Sequence, residues 1–161
     1  MNYGYVTDEL AVEMANKICD CVGHGKYETA VEMIIETAVT ETGLGRIKDT
    51  TDAAGMGITQ FDKIPFADVR DRCIKLKSKI EKELGVDITK VEWDDLRYNI
   101  FLSLLFARLL YWLKGDPIPQ TIQERAAYWK LHYNTKLGKG TVEHYLEMNT
   151  IYGVKMIYNP K

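Results

Sequence analysis

The sequence predicts a mainly α protein with at most a small β element. Apolar residues recur at spacings of three and four over most of the chain, the mark of helices with one buried face. Glycine-containing stretches such as Gly23-His24-Gly25 separate these patterns. One run, Ile100–Leu113, is apolar except for Ser103 and Arg108. It is shorter than the ~18 residues a membrane span needs, so it reads as a central, nearly fully buried helix with no membrane span.

The elements follow in order. A first helix is expected from about Asp8 to Cys21, stopped by Gly23-His24-Gly25. A second runs from about Lys26 to Thr42 and ends at Gly43. Leu44 to Ile64 is irregular or holds a small hairpin, since Gly, Thr and Asp dominate it. Pro65 is placed to open a third helix reaching about Leu84, with Gly85 as its stop and Lys75, Lys77, Lys79 and Lys82 as a solvated face. Thr89 and Glu92 have capping-box spacing ahead of a long fourth helix ending near Lys114-Gly115. Asp116-Pro117-Ile118-Pro119 reads as a rigid connector. A fifth helix covers about Gln120 to Tyr133, with Thr121 and Glu124 as its cap, and Asn134 to Gly140 is a loop. Thr141 starts the last helix, and the tail from Tyr152 is strand or coil.

At 161 residues the chain suits one domain with a sizeable core. Apolar content of 46% and charged content of 27% are those of an ordinary globular protein. The formal net charge of -2 argues against a dedicated nucleic-acid binder. Ten Tyr and three Trp offer flat, partly polar walls, although most such rings pack cores. Cys19, Cys21 and Cys73 are an odd count, expected as buried free thiols. A zinc site from Cys19, Cys21 and His24 would lack a fourth ligand, and no metal or cofactor is expected. Met1 to Val6 is not basic and no apolar segment follows it, so no secretory signal is expected.

One carboxylate stands out. From Tyr27 to Thr42 the residues Tyr27, Ala30, Val31, Ile34, Ile35 and Ala38 share a face, and Glu41 follows Ala38 by three. Glu32 and Glu36 are expected on the opposite, solvent side. Glu41 is then the one carboxylate here that desolvation can keep protonated near neutral pH, as a general acid requires. Its place at a helix C-terminus is disfavoured by the macrodipole; the plainer reading is an exposed end-of-helix Glu.

Three motifs follow in order: Glu41-Thr42, then Ala54-Gly55-Met56-Gly57-Ile58-Thr59-Gln60, then His132-Tyr133-Asn134-Thr135 before Gly138 and Gly140. Together they resemble the lysozyme-like soluble lytic transglycosylases of the SLT type, including versions carried by bacteriophages. That family's pattern is Glu-Ser, then Gly-Ala-x-Gly-Leu-Met-Gln, then Ala-Tyr-Asn-Ala-Gly. Here Gly57 and Gln60 are retained, Ala and Gly are exchanged at 54 and 55, Thr59 stands for Met, and the last Gly is displaced. The resemblance spans about Ile34 to Leu146. It implies a lysozyme-like fold and cleavage of the β-1,4 bond between N-acetylmuramic acid and N-acetylglucosamine in peptidoglycan. Glu41 would be the acid and then the base, and the product a 1,6-anhydro sugar. Gly57, Gln60, Tyr133 and Asn134 would bind or position the glycan strand.

Two alternatives stand beside it. A hydrolytic muramidase pairs its Glu with a second carboxylate, and Glu41 is followed by Asp49 and Asp52, faintly as in phage-type lysozymes. An inactive structural virion or adaptor protein belongs to another class, with no reason to keep an acid on an apolar face. The missing signal suits a phage enzyme, carried in the tail or virion with other phage proteins as partners, or made in the host cytoplasm and released to the periplasm.

Overall fold

Thr7 opens the first helix by accepting the Leu10 N–H on its hydroxyl, with Asp8 and Glu9 at the positive end of the helix dipole. The structure is a computed structural model that describes residues 6–47 and 55–158. Among these residues the chain forms α1 (Asp8–Val22), α2 (Ala30–Thr42), strands β1 (Gly55–Met56) and β2 (Phe61–Asp62), then α3 (Lys63–Arg72), α4 (Lys77–Leu84), α5 (Ile100–Trp112), α6 (Ile122–Trp129) and α7 (Val142–Tyr152). The mainly α expectation holds. None of these helices is long and apolar enough to cross a membrane.

The apolar run is the centre of the molecule. Ser103 through Tyr111 of α5 are all buried, and α1, α2 and α3 pack around it. Asn99 caps it by accepting the Leu102 N–H at 3.0 Å. The two strands pair antiparallel, Gly55 with Asp62 and Met56 with Phe61. So short a hairpin is marginal alone. Side chains hold it: the Trp93 Nε1–H donates to the Phe61 carbonyl at 2.8 Å, and the Thr59 hydroxyl lies 2.8 Å from that of Ser103 in α5. Cys19, Cys21 and Cys73 are buried free thiols, and burial raises the pKa of each.

Several boundaries differ from the sequence expectation. The second helix begins at Ala30, because residues from Gly25 to Glu28 form a turn with Glu28 at positive φ, leaving Tyr27 exposed. The third splits at Cys73, where a short 3₁₀ segment, Ile74–Leu76, separates α3 from α4. Pro65 is the third residue of α3, one turn where a missing N–H costs nothing. The fourth starts eleven residues later than Thr89: that hydroxyl donates to Asp87, and Glu92 pairs with Asp95 in a capping box of its own. Thr121 and Glu124 form their box as expected, and Thr141 caps α7 through the His144 N–H. The tail turns into a 3₁₀ segment, Lys155–Ile157.

The largest correction concerns Glu36. It is fully buried, not solvated, because α2 is enclosed on nearly every side and a two-face reading fails for it. Arg125 of α6, itself 3% exposed, grips the carboxylate with Nε at 2.9 Å and Nη2 at 2.6 Å. The Tyr145 and Tyr158 hydroxyls donate to it at 2.8 and 3.2 Å. Burial raises the Glu36 pKa, and Arg125 pulls it back. Glu32 is half-buried.

Candidate active site

Glu41 sits on the last turn of α2, half-buried, before the chain reverses at Gly43. The next residue does the local fastening. The Thr42 hydroxyl donates to the Ile58 carbonyl at 2.7 Å and accepts the Gly45 N–H at 3.0 Å. The Glu-Thr pair and the glycine-rich turn, sixteen residues apart, are thereby locked together.

Gly57 explains the turn. Its φ is +74°, and a Cβ there would collide with the Leu96 carbonyl oxygen. Only glycine combines the positive φ with that approach of backbone to backbone. Gln60 also has positive φ, at 48°, and its side-chain amide donates to the Gly57 carbonyl at 2.9 Å. That hydrogen bond turns one end of the Gln60 amide back onto its own turn.

Tyr133 closes the arrangement from the far side. Its hydroxyl donates to the Thr59 carbonyl at 2.8 Å, and its ring meets Phe61 edge-on and Tyr111 at a tilt. Burial first, and then the nearby Glu41 charge, raise its pKa well above the ordinary tyrosine value, so the hydroxyl keeps its proton. Asp62 adds to that shift, and burial raises its own carboxyl. Glu41, the Thr59-Gln60 turn, Asp62 and Tyr133 therefore form one cluster, although they come from α2, the hairpin and the end of α6.

The segment carrying Tyr133 is not an ordinary helix. Lys130–Asn134 winds as a π-turn, closed by the Thr135 N–H donating to the Lys130 carbonyl at 2.9 Å. The Lys130 ammonium spends its three donors on the Asn134 side chain and the carbonyls of Thr135 and Gly138, at 2.7, 2.9 and 2.9 Å. Asn134 thus holds the loop. A Cβ on Gly140 would press on Trp129 and the Asn134 amide, so the loop glycines allow it to lie flat there.

Sequence reasoning missed two residues. The Trp129 Nε1–H donates to Glu41 Oε1 at 3.1 Å, fixing the carboxylate against a buried ring. The signal was present in the aromatic pair Tyr128-Trp129, but nothing in the pattern says which ring meets Glu41. Tyr128 points elsewhere, donating to the Asp116 carbonyl at 2.8 Å. Asp62 was hidden as a strand end and helix cap. Asp49 and Asp52, the alternative second carboxylates, lie outside the described residues, as does Ala54.

No protein-family model, curated protein or solved structure matches the chain.

Proposed function

We propose that the protein is a peptidoglycan-degrading enzyme of lysozyme-like fold, acting as a lytic transglycosylase with Glu41 as its general acid and base. One observation carries the reading. Three sequence motifs that resemble that family meet around a single half-buried glutamate, which Trp129 orients and Tyr133 faces across the Thr59 carbonyl.

The chemistry follows from those groups. Protonated Glu41 gives its proton to the oxygen linking N-acetylmuramic acid to N-acetylglucosamine, and the C1–O bond breaks. The carboxylate left behind takes the proton of the muramic acid C6 hydroxyl. That oxygen forms the new bond to C1, closing a 1,6-anhydro ring with no water consumed. One carboxyl serves both steps because the two protons move in sequence. The neutral Tyr133 hydroxyl and the hairpin turn keep the carboxyl in place. A tail- or virion-borne phage enzyme that meets the cell wall is the setting this reading favours.

The test is digestion of purified cell wall in oxygen-18 water, followed by mass spectrometry of the fragments. The expected products carry anhydro ends and no label, and Glu41→Gln yields none. Cleavage by Glu41→Gln at the parent rate refutes the proposal. Label at the new reducing ends identifies a hydrolytic muramidase instead, with Asp49, Asp52 and Asp62 as the carboxylates to test. Absence of any cleavage points to a structural or adaptor role.

A further inference from the structure

The largest cavity in the described part of the molecule lies away from Glu41, at the other end of α2. It has a volume of about 260 Å³ and sits between the turn that precedes α2 and the connector that follows α5. Its walls include Lys26, Arg108, Tyr111, Trp112, Lys114 and Ile118.

Arg108 makes this cavity unusual. It interrupts the apolar run of α5 and is only 4% exposed. Its Nε donates to the Gly23 carbonyl at 2.9 Å, which caps the C-terminus of α1 and accounts for one donor. No carboxylate in the described residues forms an ion pair with it, and no oxygen accepts a hydrogen bond from its terminal nitrogens; the Cys19 thiol is the other polar group at hand. A guanidinium kept charged in so dry a place normally faces a partner, as Arg125 faces Glu36. Here the partner's place is the cavity.

The surrounding charges agree. Lys26 and Lys114 stand at the rim, and Lys75 lies over the outer face of the Trp112 ring at 4.9 Å. Lys26 also rests over Tyr27 at 5.3 Å. The carboxylate among the lining residues, Asp116, is largely exposed and lies 3.4 Å from His132. Tyr111 and Trp112 supply flat apolar wall beside the cations.

We propose that this cavity binds a compact organic oxyanion, a phosphate or carboxylate with a short tail, whose charged end meets the terminal nitrogens of Arg108. The planar fork of a guanidinium matches two oxygens of such a group at once. The volume is just below the ~300–1,000 Å³ of ordinary small-molecule pockets, which limits the tail to a few atoms. The site does not depend on Glu41 or on the glycan chemistry.

Amide-resolved NMR titration at constant ionic strength tests it, with inorganic phosphate and acetate as probes and chloride as the control. Saturable shifts confined to Gly25, Lys26, Tyr111 and Gly115 are expected with an oxyanion and not with chloride. Tighter binding of phosphate or of acetate then tells which headgroup the site takes. Arg108→Met removes the fork but also the cap on α1, so the rim variant Lys26→Glu/Lys114→Glu is the companion. It should keep its melting temperature and bind at least tenfold more weakly. Binding should persist in Glu41→Gln. Shifts that grow linearly with every salt, or equal affinity in the rim variant, would overturn the proposal.

Discussion

Replacing Glu36 with glutamine should cost far more stability than its mid-helix position and near-isosteric exchange imply. The carboxylate takes hydrogen bonds from Arg125, Tyr145 and Tyr158, and Arg125 is left with the Pro119 and Gln120 carbonyls once it is gone. An amide also turns an NH₂ group toward these donors. Breaking a buried ion pair from one side costs about 3–5 kcal/mol, against a total margin of roughly 5–15 kcal/mol for a domain. At about 2–4 °C per kcal/mol for a chain of this size, the melting temperature should fall by about 6–20 °C. Thermal and urea melts followed by circular dichroism measure this directly. The paired replacement Glu36→Met/Arg125→Met should recover most of the loss, because it removes both charges together. A Glu36→Gln variant within about 1 kcal/mol of the parent would refute the reasoning, since it would mean that Arg125 needs no counter-charge.

Truncating Leu104, Leu105 or Leu109 to Ala should cost about 2–5 kcal/mol each in urea melts, since all three are fully buried in α5. Gly57→Ala should lose at least about 1 kcal/mol and lower cell-wall cleavage, because the turn must move off Leu96 to admit a methyl group. Trp129→Phe should reduce turnover while the fold melts cooperatively, since it deletes the N–H that orients Glu41; unchanged turnover would remove that role. Burial first, then the Lys114 charge, hold the His132 pKa below its ordinary value. The neutral ring is therefore favoured by folding: its contribution is complete above about pH 6.5 and is lost as the pH falls through the lowered value. Stability measured from pH 7 down to 5 should decline less steeply in His132→Phe.

How far the sequence reveals this molecule can be judged residue by residue. The end of α2 at Gly43, the caps at Thr121 and Thr141, the buried run of α5 and a hairpin between α2 and α3 were all legible, because each rests on local chemistry. Glu36 was not, because α2 has no solvent face for most of its length and the cation that makes its burial tolerable is 89 residues away. The starts of α2 and α5 were misjudged where a turn competes with the helix: Glu28 takes positive φ, and Thr89 bonds to Asp87. At the candidate site, the meeting of Glu41 with Tyr133 followed from motif order, whereas its bond to Trp129 needed three dimensions.

The π-turn at Lys130–Asn134 gives the molecule a single-residue address. Each residue of an α-helix advances the chain by about 100° around the axis, so one residue more or fewer rotates everything that follows. Deleting Leu131, which is exposed and makes no part of the core, would let the segment wind as plain α-helix. Trp129 would keep its bond to Glu41, because it precedes the change, while Tyr133 would swing away from the Thr59 carbonyl. A lineage could thus gain or lose half of this cluster by one codon's insertion or deletion, with no substitution at any residue that lines it.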